Sequence, residues 1–302
     1  MTALRRRSGR RWRSLAALLA LCVPALCVAA LGALARPATA VPRDPRLRQV
    51  RTWAFAIGGG DLTGNLARRY AGYDLLVLDG EGATAAQIAS LHRAGKLVLA
   101  YLDVGTIEQG RSWYPLLKPY RLDWWPDWGE WYAAVAKPGF RRAIATRIAP
   151  RLLRKGFDGL FLDNTDMIES HPRQTAGMRT LARQLSRLVR RRHRLLFTQN
   201  GEGSIGPTLR YYDGWNREDV TSTYDFGLRR YAIQSRADIG AAQRALRWVV
   251  RHRLLALATD YTAAGDAAAA ARSRSDACAA GALPFVSDID LTRVAAVPAR
   301  CG

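Results

Sequence analysis

The sequence predicts a (β/α)8 TIM barrel, as a single α/β domain following an N-terminal export signal. Eight short, apolar, β-rich runs alternate with helical stretches between residues 52 and 289, the rhythm of a parallel sheet whose outer face is covered. That span is close to the ~250 residues typical of such barrels. Seven of the eight runs offer an acid or an amide at or beside their ends, where a barrel of this kind builds its site. A doubly wound open sheet is the alternative. No G-x-G-x-x-G follows the first run, so a dinucleotide fold lacks its signature.

Residues 1–13 hold six Arg and no acid, an apolar run follows from Leu15 to about Ala35, and Ala38-Thr39-Ala40 comes after it. This is the order of an export signal, with cleavage expected after Ala40. The run is long enough to span a bilayer, so an uncleaved anchor is the competing reading, although Pro24 interrupts it. The mature domain is expected at 41–302, secreted or otherwise extracytoplasmic, with no membrane contact beyond this segment. Two of the four Cys lie inside the apolar run. The other two, Cys278 and Cys301, are expected to pair in an oxidising compartment and pin the C-terminal tail to the last helix.

The first strand is read at Thr52–Ile57, stopped by Gly58-Gly59-Gly60, and the second at Asp74–Asp79. A helix from Thr84 to Gly95 leads to the third strand, Lys96–Asp103. The fourth to eighth follow at Phe157–Asp163, Arg194–Asn200, Tyr211–Asn216, Arg253–Asp260 and Pro284–Ile289. Between the third and fifth strands, Ile144, Ile148 and Leu152, then Met178, Leu181, Leu185 and Leu188, form helical stripes among Arg side chains.

The chain carries 46 basic and 25 acidic side chains, for a net charge of +21, but 42 of the basic residues are Arg spread along helices. They read as solvated helix faces. No recognition-helix, zinc-finger or RNA-binding pattern accompanies them, so no nucleic-acid partner is expected.

Asp79, Asp103, Asp163, Asn200 with Glu202, Glu218, Asp260, and Asp288 with Asp290 stand at or just past strand ends. The four His are read on helices or in loops that precede strands. No metal site and no cofactor are therefore expected. Carboxylates without a His or Cys nucleophile suit glycoside hydrolysis, in which one carboxyl donates a proton and another attacks or activates water. Five of the nine Trp fall within residues 113–131. They are read as a sugar-binding wall, with a buried aromatic plug as the alternative.

The blocks LVLAYLDVGTIEQGRSW (97–113), WGEWY (128–132), KGFDGLFLDNTDM (155–167), QNGEG (199–203), GWNRED (214–219) and PFVSDIDL (284–291) resemble glycoside hydrolase family 114. That family is one of secreted TIM barrels associated with endo-α-1,4-polygalactosaminidase activity. Gly156, Asp158, Gly159, Asp163, Asn164 and Asp166 match its fourth-strand motif. Tyr101, Gly105, Glu108 and Arg111 match its third-strand pattern, and Asn216 and Glu218 its sixth. The resemblance implies a galactosamine-containing polysaccharide as substrate. By analogy with α-galactosidase-like barrels, Asp163 would be the nucleophile of a retaining enzyme and Glu218 its acid/base, with Glu202 as the rival. Asp79, Asp103, Glu108, Asn164, Asn200, Glu202 and Asp288 would bind substrate, with Trp128, Trp131 and Glu130 in the loop wall. Asp158 is read as structural. A carbohydrate-binding barrel without catalysis is the alternative function.

Overall fold

The structure is a computed structural model that describes residues 40–58 and 61–302. The expected export signal lies outside the described residues, apart from Ala40. Eight parallel strands form one sheet in sequence order: β1 (Trp53–Ala56), β2 (Leu75–Asp79), β3 (Leu97–Asp103), β4 (Gly159–Asp163), β5 (Leu195–Gln199), β6 (Gly214–Glu218), β7 (Leu255–Tyr261) and β8 (Leu283–Ser287). The sheet curls into a nearly closed barrel. At the β1/β8 seam the Trp53 indole donates to Leu283 O at 2.8 Å, and its ring lies 5.5 Å from that of Phe285. The strands are near-continuous runs of Leu, Val, Ala and Phe because both faces are buried. Among the described residues, the buried hydrophobic core runs from Leu47 to Leu291.

Local chemistry sets the helix ends. Thr84 and Gln87 form a capping box that starts the helix Ala85–Arg93, and Gly95 follows it at φ +74°, the left-handed geometry that ends helices. The stripe at Ile144, Ile148 and Leu152 is buried as expected. Its helix contains a π turn, Ala143–Ile148, just before Pro150, which has no N–H to continue the regular ladder.

At the N-terminal end of the barrel one device recurs. Asp74, Asp158 and Asp213 each immediately precede an even-numbered strand. Each accepts the free N–H at the start of the preceding strand: Thr52 N at 3.0 Å, Val98 N at 2.8 Å and Leu196 N at 2.9 Å. These acids serve the fold, and Asp158 also binds His92 at 2.9 Å.

Strand six differs from the expectation of Tyr211–Asn216. Residues Gly206–Tyr211 form a 3-10 helix, Tyr212 is buried in the core and Tyr211 is half-buried against it. The strand starts at Gly214 and runs on to Glu218, its last residue. His171 also differs. It lies in the loop after β4, on the mouth side, where it bonds Asp123 at 2.9 Å and packs on the Tyr132 ring at 4.3 Å.

Cys278 and Cys301 form the expected disulfide, 23 residues apart in sequence, which ties the tail to the helix Ala267–Ala279. Loop closure of this size is worth about 3 kcal/mol, or roughly 6–12 °C in Tm for a domain this large. Cys301→Ala should lower Tm by that amount. Dithiothreitol should destabilise the wild type and leave the variant unmoved, and equal Tm values for the two proteins would contradict this account.

Candidate active site

Two excursions rise from the C-terminal ends of the barrel strands. After β3 comes a three-stranded antiparallel sheet of Thr106–Ile107, Glu130–Ala133 and Arg121–Trp125. After β6 comes a hairpin of Ser222–Asp225 and Arg230–Ile233. They meet where Trp128 packs edge-to-face on Phe226, with ring centroids 5.3 Å apart. Beneath them lies a cavity of about 470 Å³, within the usual size range of small-molecule sites. Phe55 and Tyr101 line it from the barrel interior and Trp125, Trp128, Tyr224 and Phe226 from the excursions. Its carboxyl groups are Glu130, Asp163, Asp166, Glu218, Asp219 and Asp290.

Strand alternation decides which side of the excursion sheet meets the cavity. Trp125 pairs with Glu130 in register and Trp124 with Trp131. The first pair faces the cavity. Trp131 faces away, packed against Trp124 at 5.0 Å and the Arg121 guanidinium at 4.6 Å. The Trp-rich segment is thus part wall and part plug: Trp125 and Trp128 line the cavity, and Trp113 is buried.

Asp163 ends β4 and accepts three donors: Tyr101 OH, Gln199 Nε2 and Asn164 N, each at 2.6 Å. Glu218 ends β6 and accepts the Tyr261 hydroxyl and, at 2.7 Å, Asn200 Nδ2. Asn200 also fixes the backbone there, since its Oδ1 accepts Glu218 N at 3.0 Å. Asn164 and Asn200 both have φ 54°, a conformation Asn tolerates better than most residues. Each turns its amide back toward a strand-end carboxylate. At Gly105, opposite Asn164, a Cβ would fall 1.8 Å from Asn164 O, so only glycine permits this approach.

Burial pushes Asp163 up from the usual carboxylate range, and the Asp103 and Glu218 carboxylates add to it. Burial also raises Glu218, with Asp219 reinforcing the shift. Two buried carboxyls whose charges interact titrate as a pair, and Asp163 has three donors against two for Glu218. Asp166 is pushed up to about 7 by burial and the Asp163 charge, and Asp260 to about 7 by burial.

The other expected residues are placed as follows. Asp103 is buried below the cavity and accepts Gly105 N, Thr106 N and Asn164 Nδ2 at 2.7–2.9 Å. Asp79 and Glu108 grip Arg111 from two sides and line a neighbouring shallow depression with Glu81, Trp128 and Glu130. Glu202 pairs with Arg217 at 3.0 Å and lines a separate groove beside Trp248. Asp288 caps the turn at Thr292, 2.7 Å away. Asp260 points away from the cavity and accepts Thr221 N and Ser222 N at 2.7 and 2.8 Å. Sequence reasoning missed Gln199 and Tyr261 as partners of the carboxylates. Strand parity was the available signal, because Tyr261 follows Asp260 and so takes the opposite face.

A parallel barrel with two hydrogen-bonded carboxyls at the ends of β4 and β6, under an aromatic rim, defines a TIM-barrel glycoside hydrolase. The chain matches glycoside-hydrolase family GH114 over residues 33–301 and belongs to that family. Its fold is similar to that of the glycoside hydrolase domain of PelA from Pseudomonas aeruginosa, with TM-score 0.66 and 22% identity over 80% of this chain and 96% of that one. It is also similar to Ega3 of Aspergillus fumigatus, solved in complex with galactosamine, with TM-score 0.61 and 15% identity over 83% and 95%. An uncharacterized protein of Deinococcus radiodurans is 29% identical over 146 residues, 45% of this chain. The match spans about half the length of that curated relative, 47%.

The raised carboxyls carry a stability signature. Each binds its proton more tightly folded than unfolded, where carboxyl pKa values lie near ~4. Their contribution is therefore complete below about pH 4 and is lost as pH rises through about 7 for Asp166 and Asp260. Tm measured by scanning calorimetry should fall from pH 5 to pH 9. A Tm that is flat or rises over that window would sink the assignment of buried, proton-holding carboxyls.

Proposed function

We propose that this protein hydrolyses α-1,4-linked polysaccharide containing galactosamine or N-acetylgalactosamine, outside the cytoplasm, by a retaining two-carboxylate mechanism. The observation that carries this reading is the unequal support of Asp163 and Glu218 across one cavity, three donors against two. In this mechanism ionised Asp163 attacks the anomeric carbon while the Glu218 acid protonates the departing glycosidic oxygen. Glu218, now a carboxylate, then takes a proton from the water that releases the sugar from Asp163. Such a pair stands ~5–5.5 Å apart in retaining enzymes. Tyr101 and Gln199 hold the nucleophile's orientation, and Tyr261 and Asn200 that of the acid.

The rest of the cavity supports the substrate class. Trp125 and Trp128 supply flat apolar surface for the C–H face of a sugar ring. Asp166, Asp219 and Asp290 also line the cavity, and an approaching ammonium group favours the ionised form of such carboxyls, which suits a polymer carrying amines. The chain as a whole is basic, but the screening length at ~8–10 Å in moderate salt leaves the local carboxylates in control. Galactosamine bound in the Ega3 structure and the disulfide agree with this sugar and with an oxidising compartment.

Purified galactosaminogalactan should release reducing ends with the wild type. Asp163→Asn and Glu218→Gln should each lower that rate by about 10²–10⁴-fold, with circular dichroism unchanged. Polymer binding without cleavage by the wild type would favour a non-catalytic barrel. Proton NMR of the first-formed product should show the α anomer, and a β anomer would replace the nucleophile role of Asp163 with that of a base.

A further inference from the structure

Beneath the excursion sheet, Thr106 Oγ1 lies within hydrogen-bonding reach of two carboxyl oxygens, Asp103 Oδ2 and Glu130 Oε2. A hydroxyl has one proton to donate. If both carboxyls were ionised, one of these contacts would set lone pair against lone pair. Asp103 already accepts Gly105 N, Thr106 N and Asn164 Nδ2, the surroundings of a carboxylate, so the Thr106 proton goes to Asp103. The contact on the other side then needs its own proton, and Glu130 supplies it.

We propose that Glu130 is a positioning residue that acts as a neutral carboxylic acid, donating to Thr106, which donates to Asp103. The chain continues through Asn164, whose side chain donates to Asp103 and whose backbone N–H holds Asp163. One line of hydrogen bonds therefore joins the excursion sheet that walls the cavity to the carboxylate at the end of β4. Asp103 and Glu108 face Glu130 from β3 and the segment after it, Asp163 from β4, and Asp79 and Arg111 across the shallow depression. Arg111, the cation in this group, is already bound by Asp79 and Glu108. Burial and the Asp103 charge act in the same direction, pushing Glu130 up to about 9. Glu130 borders both the main cavity and the depression, so the acid sits where the wall must hold its shape against substrate.

The inference rests partly on the hydrolase reading, so its test has one arm independent of turnover. The full chain is labelled with carboxyl-¹³C glutamate, which gives six Glu resonances, and the one absent from Glu130→Gln belongs to Glu130. It should sit at the position of a protonated acid at pH 7 and move to the carboxylate position only near pH 9. A carboxylate signal at pH 7 overturns the proposal whether or not the protein cuts polymer. In the kinetic arm Glu130→Ala should lower kcat roughly tenfold, the scale of one hydrogen bond, with KM little changed. Glu130→Gln, whose amide still donates to Thr106, should recover most of that loss. A tenfold rise in KM for Glu130→Gln, with kcat intact, would instead make Glu130 a charged contact to substrate and overturn the relay.

Discussion

The cavity gathers more carboxyl groups than so confined a space can hold ionised at once, and the surrounding structure is arranged around that constraint. Desolvated like charges cannot all persist, so each acid is either given donors or left to keep a proton. Asp163 is held by a Tyr, a Gln and a backbone N–H, Glu218 by a Tyr and an Asn, and Asp103 by two backbone N–H groups and an Asn. Asn164 and Asn200 are in left-handed conformations, and Gly105 lacks a side chain, because those donors must reach back over the strand ends.

The same residue type does different work at the two ends of the barrel. At the N-terminal end Asp74, Asp158 and Asp213 accept strand-start N–H groups, and their hydrogen bonds are complete without a ligand. At the C-terminal end Asp163 and Glu218 line the cavity and take their hydrogen bonds mainly from side chains. A barrel separates these roles by strand direction alone, so the fold can be stiff at its base and chemically loaded at its mouth.

Much of this was legible in the chain. The eight strands could be read because parallel strands buried on both faces are short, unbroken apolar runs, and Asp163 stands out as the acid that ends one of them. The sixth strand was misplaced because Tyr211 and Tyr212 look like strand residues, but Tyr211 ends a 3-10 helix and Tyr212 is buried in the connection that follows it. Strand parity was harder to see. An acid at a strand end reaches the cavity or misses it according to one residue of register, which is why Tyr261 faces in and Asp260 faces out. The excursions were least legible. Nothing in the Trp spacing shows that residues 121–133 fold as an antiparallel pair that puts Trp125 and Glu130 on one side and Trp124 and Trp131 on the other.

The contact between Trp128 and Phe226 spans the mouth from one excursion to the other. An edge-to-face ring pair is worth about 0.5–1.5 kcal/mol beyond its buried area, only a few times thermal energy. The rim above the cavity is thus closed by two side chains rather than by continuous backbone, so the width of the mouth is set by two rotamers and not by the barrel itself.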